Sequence, residues 1–342
     1  MATSVPALKP AVSAIIPARN EETNLRPCLA SLVSQGGIAF EIIVVDDGST
    51  DGTRAIAESF PSVRVIEAGT LPPGWTGKNH AVTAGARVAQ GKWLLFTDAD
   101  TVHEPGALAA AVKEAEEYDV DLLSYSPQQE VHGFWERAVM PVIFADLARE
   151  YPPWAVSDDS STVAAANGQY LLISRAAYDQ VGGHAAVAKS LLEDVALARA
   201  VRKAKLRIRF RYAPEAVRTR MYRNFAQLRE GWTKNLSLLF PATIPLAVIR
   251  AVEFLITMAC LSIGIASMAH GVSVYTLLYL FVPYLTYRRI GSAHFSWSST
   301  LLGILGLPVF SYLLVRSKRR RANGDILWKG RRYPGAGVTP VS

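Results

Sequence analysis

The chain has 342 residues, room for one large domain or two medium ones, and carries a formal net charge of +7. That charge does not mark a nucleic-acid binder, because residues 316–332 hold eight Lys/Arg against Asp325, a local excess equal to the whole net charge. The cluster directly follows an apolar segment, which fits a membrane-flanking position, and no nucleic-acid partner is expected. Only two cysteines occur, Cys28 and Cys260, so no disulfide framework is implied and a reducing compartment suits the chain.

The first ten residues, "MATSVPALKP", contain no apolar run, so no cleavable signal peptide is expected and the soluble part is expected in the cytosol. Composition divides the rest. Residues 1–235 alternate apolar and charged segments and read as the catalytic domain. Residues 236–315 are mostly apolar and read as interfacial and transmembrane helices, and 316–342 form the basic tail.

In chain order, 12–18 (VSAIIPA) reads as a buried strand and 21–35 as a helix. Residues 41–47 (EIIVVDD) form a second strand closed by "DGSTDGT", followed by a helix over 51–59 and a strand over 63–68. A loop, "GTLPPGWTG", leads into a helix near 79–89, and 93–98 is a fourth strand. Continuous Val/Ile/Leu strands alternating with helices predict an α/β fold with a parallel sheet covered on both faces. Further strands are expected at 120–126, 169–174 and, as two short basic pieces, within 206–222. Helices are expected near 134–149 and 191–204.

Three strand ends carry the first candidate site residues, where ligands sit in such sheets. "FTDADT" puts Asp98 and Asp100 one residue apart, so both carboxylates point the same way as the strand ends. Two hard oxygens around an open position suit Mg²⁺ or Mn²⁺, which also take substrate phosphate oxygens; a helix N-cap is the plainer role for Asp100. "VVDDGSTDGT" offers Asp46 and Asp47 to ribose hydroxyls or a base N–H, or simply to an Asx-turn. In "IIPARNEE", Glu21 and Glu22 are ordinary helix-start acids. Lys78, in "GWTGKNHA", stands at a helix start where it neutralises a phosphate or faces solvent. Glu193 and Asp194, in "SLLEDVALARA", open a helix and are a cap or a general base.

Taken together, "IIPARNEE", "VVDDGSTDGT" and "LLFTDADT" closely resemble family-2 inverting glycosyltransferases with the GT-A (Rossmann-like) fold, over about residues 12–235. The resemblance implies a nucleotide diphosphate sugar as donor, a UDP-sugar in the usual family pattern. Pro17, Ala18, Arg19 and Glu21 would line the nucleoside, and Asp47 with Asp46 would meet the base. Asp98 would reach the ribose and diphosphate, and Asp98 with Asp100 would hold the metal. The family usually has an aromatic at the position of Arg19, although a guanidinium also stacks on a base. Asp194 matches the family's general base, and "ANGQYLLISRAAYDQVGGH" resembles its acceptor-side strand and turn, which brings in Gly168, Gln169 and Glu193. His184 in that stretch could touch substrate, but a loop role is its plainer reading.

"REGWTKN" contributes Trp232 to the acceptor side but departs from the Q-x-x-R-W of processive polysaccharide synthases, because Arg229 falls too early after Gln227. A polymerising synthase is therefore the second reading, and a non-catalytic membrane scaffold retaining the nucleotide-binding fold is the third. "LPPGWTGKNHA", "REGWTKN" and "WKGRRY" narrow the resemblance to membrane-bound glycosyltransferases of hopanoid and carotenoid pathways, which implies a lipid-like acceptor.

Apolar stretches at about 252–269, 272–287 and 298–315 each approach the ~17 residues needed to cross a bilayer. Residues 224–249 are expected along the interface. Two full spans place Arg288–Arg289 inside, as the positive-inside tendency favours. The third stretch holds Gly303, Gly306 and Pro308 and is expected as a re-entrant or interfacial hairpin. That arrangement leaves the tail cytosolic, with "WKGRRY" near the catalytic domain or the lipid headgroups. The expectation is thus a multi-pass inner-membrane enzyme facing the cytosol.

Overall fold

A computed structural model describes residues 9–333. The chain divides into two compact units: residues up to Glu130 with Pro153–Arg220, and Val131–Pro152 with everything from Met221. The expected boundary at residue 235 left the helix near 134–149 and residues 221–235 with the sheet. Both belong instead to the C-terminal helical unit.

The first unit opens with β1 (Val12–Ala18), α1 (Leu25–Val33), β2 (Phe40–Asp46), α2 (Thr53–Glu58), β3 (Val63–Glu67), α3 (Gly77–Val88) and β4 (Trp93–Phe96). β5 (Thr101–His103), α4 (Ala107–Glu117), β6 (Leu122–Ser126) and β7 (Gln128–Gln129) follow. After α5 (Phe134–Glu150), which belongs to the other unit, come α6 (Pro153–Val156), β8 (Leu171–Ser174), α7 (Arg175–Gln180), α8 (Gly183–Ala186), α9 (Glu193–Lys203), β9 (Ile208–Tyr212) and β10 (Val217–Thr219).

Seven strands form the main sheet in the order β3-β2-β1-β4-β8-β6-β9. The first four strands pair in parallel as expected, and the sheet becomes mixed beyond them, because β8 runs antiparallel to both β4 and β6. The reversal has a consequence for the site. Phe96 pairs with Leu171, so the residues that enter β8, Gly168 and Gln169, arrive at the carboxyl end of β4. Register aligns the other ends at the same edge: Ala18 pairs with Asp46, and Ile15 with Phe96.

The strands form because their Val, Ile and Leu side chains are buried, with Ile15, Ile16, Ile43, Leu94 and Leu95 fully excluded from solvent. A second, three-stranded sheet, β5-β10-β7, follows Asp98–Asp100 directly. It answers one open question: β5 succeeds Asp100, so that residue is not a helix N-cap.

The second unit contains α5, α10 (Phe225–Leu239), α11 (Thr243–Met268), α12 (Val274–Gly291) and α13 (Trp297–Ala322), closed by the hairpin β11 (Ile326–Trp328) and β12 (Arg331–Tyr333). Its core gathers Met140, Ile143, Trp232, Leu307, Phe310 and Leu313. α13 overturns the expected re-entrant hairpin: it is one continuous helix of 26 residues that carries Pro308 inside it. Gly303 and Gly306 do not break it. A Cβ on Gly306 would fall 2.0 Å from the Ala138 carbonyl oxygen, so glycine is what lets α13 press on α5. Residues 224–249 form two separate helices, α10 and the start of α11.

Two helices among the described residues, α11 and α13, are long and apolar enough to cross a membrane. α12 is shorter and ends in Arg288 and Arg289. Large apolar side chains stand exposed along α11 and α12, among them Leu255, Ile265, Leu277 and Phe281, and residues 254–287 contain no Asp, Glu, Lys or Arg.

At the base of that stretch lies a closed ring of four charges. Arg250 grips Asp146 with two hydrogen bonds of 2.6 and 2.8 Å and reaches Glu253 at 2.5 Å. Arg289 bonds Glu253 at 3.1 Å and Asp146 at 3.3 Å. Two cations and two anions thus satisfy one another with side chains no more than 17% exposed. Breaking a buried pair from one side leaves an uncompensated charge at a cost of roughly 3–5 kcal/mol. Asp146→Asn should therefore lower the thermal midpoint of the detergent-solubilised protein markedly, whereas Asp121→Asn on the sheet unit should shift it far less.

Candidate active site

The loops that follow β1 and β2 are zipped together by backbone and side-chain hydrogen bonds. Ala18, at the buried end of β1, accepts from the Asp47 N–H at 2.9 Å. The Arg19 guanidinium donates to the carbonyls of Asp47 at 2.5 Å and Gly48 at 3.3 Å, which fixes it over the β2–α2 turn. Asn20 adopts a positive φ of 53°, tolerable for Asn, and accepts from the Thr50 N–H at 2.9 Å. Glu21 receives a bond from Asn24 and gives its N–H to Thr53 Oγ1; α1 starts at Leu25 with no acid in its first turn, so Glu21 is not the helix-start acid expected. Asp46 accepts from the Ser49 N–H at 3.1 Å, the Asx-turn that the sequence left open, and Asp47 is buried beside it.

A second group forms around Lys78. Thr76 caps α3 by accepting from the Asn79 N–H, which sets Lys78 at the helix start. Its ammonium lies 2.7 Å from Asp98 Oδ1 and 2.6 Å from Glu193 Oε1. Asp194 is adjacent: its Oδ2 accepts from the Gly168 N–H at 2.9 Å and its Oδ1 from Val195 N–H at 2.8 Å. A Cβ on Gly168 would stand 3.1 Å from the Lys78 nitrogen and 3.4 Å from Asp194, so a side chain there would crowd the cluster. Pro17, Lys78, Asp98, Gly168, Glu193 and Asp194 line one cleft. Sequence positions spread over 177 residues meet at the carboxyl edge of the sheet.

The electrostatics follow from burial. Lys78 loses solvation, but Asp98, Glu193 and Asp194 outweigh that and hold it charged. Burial pushes Asp194 up to about 6, helped by repulsion from Glu193 and opposed by Lys78 and two backbone N–H groups. A carboxylate tuned towards neutrality is what base catalysis near neutral pH requires.

Asp98 and Asp100 lie in the turn between β4 and β5. Asp98 accepts through its carbonyl from Thr101 N–H, and Asp100 through its carbonyl from Thr219 Oγ1 at 3.1 Å. Among the described residues no group of three His, Cys, Asp or Glu is placed to hold a metal. Two hard carboxylates alone fit a Mg²⁺ or Mn²⁺ site that substrate phosphate oxygens complete, rather than an all-protein cage. Gln169 is buried next to this turn, its amide donating to Thr219 Oγ1 and its carbonyl accepting from Thr97.

Trp232 is placed elsewhere. It is packed in the core of the helical unit, with its indole N–H on Met140 Sδ and its ring edge-on to Phe144. Two contributors escaped the sequence reading. Asn79 donates to the carbonyls of Val187, Ala188 and Ser190 at 2.9–3.0 Å, tethering the loop that delivers Glu193 to Lys78. His184, taken as a loop residue, is buried and lines the cleft. The polar residue directly after Lys78 was the available signal for Asn79.

This fold and this acidic, lysine-bridged cleft agree with relatives. Residues 13–171 match the sequence profile of glycosyl transferase family 2. The 4,4'-diaponeurosporenoate glycosyltransferase of Staphylococcus aureus strain MRSA252 is 30% identical over 343 residues, covering 94% of this chain and 88% of that protein. Its counterpart in strain USA300 is 29% identical over the same shares. A mannosyltransferase from Pyrobaculum calidifontis, solved with GDP-Man and Mn²⁺, superposes with a TM-score of 0.50 at 19% identity, covering 92% of this chain and 88% of that one. The chain belongs to glycosyltransferase family 2. It is a glycosyltransferase with the GT-A fold.

Asp194→Asn should leave nucleotide affinity within about twofold while transfer falls by ~10² or more. In the unmodified enzyme, log kcat/KM should fall with unit slope as pH drops below about 6, because protonation removes the base. Titration of nucleotide binding alongside single-turnover rates checks both. Undiminished turnover in the variant would move the base to another group.

Proposed function

We propose that this enzyme transfers a sugar from a nucleoside diphosphate donor to a hydroxyl of a lipid-like acceptor, with inversion at the anomeric carbon. The observation that carries the reading is the half-buried Asp194, held within one cleft beside the Lys78–Asp98–Glu193 ion pairs. Asp194 takes the acceptor proton as the acceptor oxygen bonds to the anomeric carbon. The bond from that carbon to the phosphate oxygen breaks, and Lys78 meets the charge that develops on the leaving diphosphate. A divalent cation held by Asp98 and Asp100 would add Lewis-acid stabilisation of the same diphosphate. The nucleoside is assigned to Pro17, Ala18, Arg19, Glu21 and Asp47.

A second reading has a specific basis: the Staphylococcus relatives are named for a diaponeurosporenoate substrate, which bears a carboxylate. A carboxylate acceptor is already deprotonated at neutral pH and needs no base. Transfer that survives Asp194→Asn with its pH profile flattened would select it.

Membranes containing the protein, supplied with UDP-glucose, UDP-galactose or GDP-mannose, should release nucleoside diphosphate and yield a lipid one sugar heavier by mass spectrometry. EDTA should stop the release, and Mg²⁺ or Mn²⁺ should restore it. Asp98→Asn and Asp100→Asn should each abolish metal-dependent donor binding without unfolding. Donor affinity indifferent to EDTA and to both substitutions would remove the metal from the reading, and long sugar chains in the product would return a processive synthase.

For attachment, the reading is that the α11–α12 hairpin lies in the bilayer. Its uncharged, outward-facing apolar surface and its neutralised charged base support this. From Arg250 to His270 the helix rises about 30 Å, the thickness of a hydrocarbon core. Arg288 and the basic end of α13 then stand on one side, the cytosolic one by the positive-inside tendency. In a background lacking Cys28 and Cys260, His270→Cys should react with a membrane-impermeant thiol reagent in intact cells. Protection until lysis would mean that the hairpin does not cross. The tail beyond Tyr333, including Ser342, lies outside the described residues.

A further inference from the structure

The proposed chemistry assigns no task to two polar groups of the cleft, Thr97 and His184, and the Thr97 hydroxyl already donates to the Gln169 carbonyl. His184 is 2% exposed and lines the same cleft as Lys78, Asp98, Glu193 and Asp194. Its fixing is thorough. Gly182 and Gly183 take positive φ values of 76° and 54°, turning the chain so that the imidazole enters the interior. The Tyr178 hydroxyl contacts Nδ1 at 3.1 Å and accepts the His184 backbone N–H at 3.1 Å. The ring packs edge-on against Phe96 with centroids 4.5 Å apart. All of these contacts hold the Nδ1 side and the ring faces. Nε2, on the opposite edge, has no hydrogen-bond partner among the described residues.

We infer that His184 Nε2 hydrogen-bonds a hydroxyl of the sugar being transferred and thereby helps to select that sugar. The inference rests on the glycosyl-transfer reading above. In a displacement between a leaving phosphate near Lys78 and a base at Asp194, the sugar would lie across the mouth of this cleft, and a hydroxyl reaching into it would meet His184. The ring is neutral at physiological pH, because burial, with some help from Lys78, pushes it down to about 4 against the pull of Glu193. A neutral imidazole nitrogen suits a hydroxyl rather than the diphosphate. Whichever tautomer Tyr178 imposes, a hydroxyl both donates and accepts and so satisfies Nε2.

A polar group buried to meet a substrate hydroxyl is left unsatisfied when that hydroxyl is missing, and discrimination follows. An epimer at the carbon that bears this hydroxyl would turn it away and leave Nε2 unsatisfied.

The test uses the full-length protein in membranes and whichever of UDP-glucose, UDP-galactose and GDP-mannose it turns over, together with the monodeoxy analogues of that donor. His184→Phe keeps the packing on Phe96 and removes the nitrogens; Tyr178→Phe removes the inner hydrogen bond and keeps Nε2. His184→Phe should leave nucleoside diphosphate affinity within twofold and lower kcat/KM for the intact donor by tenfold or more. For one deoxy donor, already poor with the wild type, the variant should cause no further loss. Tyr178→Phe should preserve the wild-type ranking of donors. An equal loss across every deoxy donor, or the same donor ranking in His184→Phe as in the wild type, would overturn the inference and leave His184 a packing residue. Should His184→Phe fail to bind nucleoside diphosphate, His184→Gln, which retains an amide near Nε2, should restore binding with an altered donor ranking; an unaltered ranking overturns the inference. Wild-type protein that turns over none of the three donors would remove the donor reading above, and the inference with it.

Discussion

The ammonium of Lys78 is the contact on which the site depends. It joins the end of β4, through Asp98, to the start of α9, through Glu193, and it does so from the first turn of α3. Three carboxylates in one cleft would repel one another and resist burial, and removing a single charge from water is itself costly. With Lys78 between them, Asp98 and Glu193 are each paired with a cation. Asp194, which shares only the weaker part of that field, is left poised near neutrality. One cation thus permits the acidic cluster and also sorts its members into different roles.

Delivering those groups is the work of strand direction. Parallel strands β1, β2 and β4 present their carboxyl ends at one edge, as any doubly wound sheet does. The antiparallel β8 adds what a parallel strand at that place could not: the residues before it, Gly168 and Gln169, reach the same edge from the other direction. Asn79 then ties the loop before α9 to α3. The loop before α9 and the start of α3 are therefore held together by one buried amide on three backbone carbonyls.

Much of this was legible because it is local. The buried runs VSAIIPA, EIIVVDD and WLLF declare strands by composition, and the acids that end them are conspicuous because nothing apolar explains them. Asp98, Asp194 and Lys78 were each recognisable, but not their meeting, which depends on pairings between residues more than 70 positions apart. The direction of β8 was invisible for the same reason: LLIS reads identically whichever way it runs. His184 was passed over because a Gly-Gly turn normally means an exposed loop, and here the turn drives the ring inward. In the helical unit, Gly303, Gly306 and Pro308 looked like helix breakers. The fact that decides otherwise, the closeness of the Ala138 carbonyl, belongs to another helix.

The ring of Asp146, Arg250, Glu253 and Arg289 bears on how this protein could be remade. Arg289 touches Glu253 directly, so the chain leaves the ring into the apolar hairpin and returns to it at neighbouring points. Residues 254–287 are in that sense a detachable loop with its two roots already clamped together. Their replacement by a short polar turn would demand little movement of the helices that remain, since closing a short connection between adjacent ends is entropically cheap. The four charges that suit a boundary between lipid and water would then face water alone. The same clamp would serve a soluble form of the enzyme.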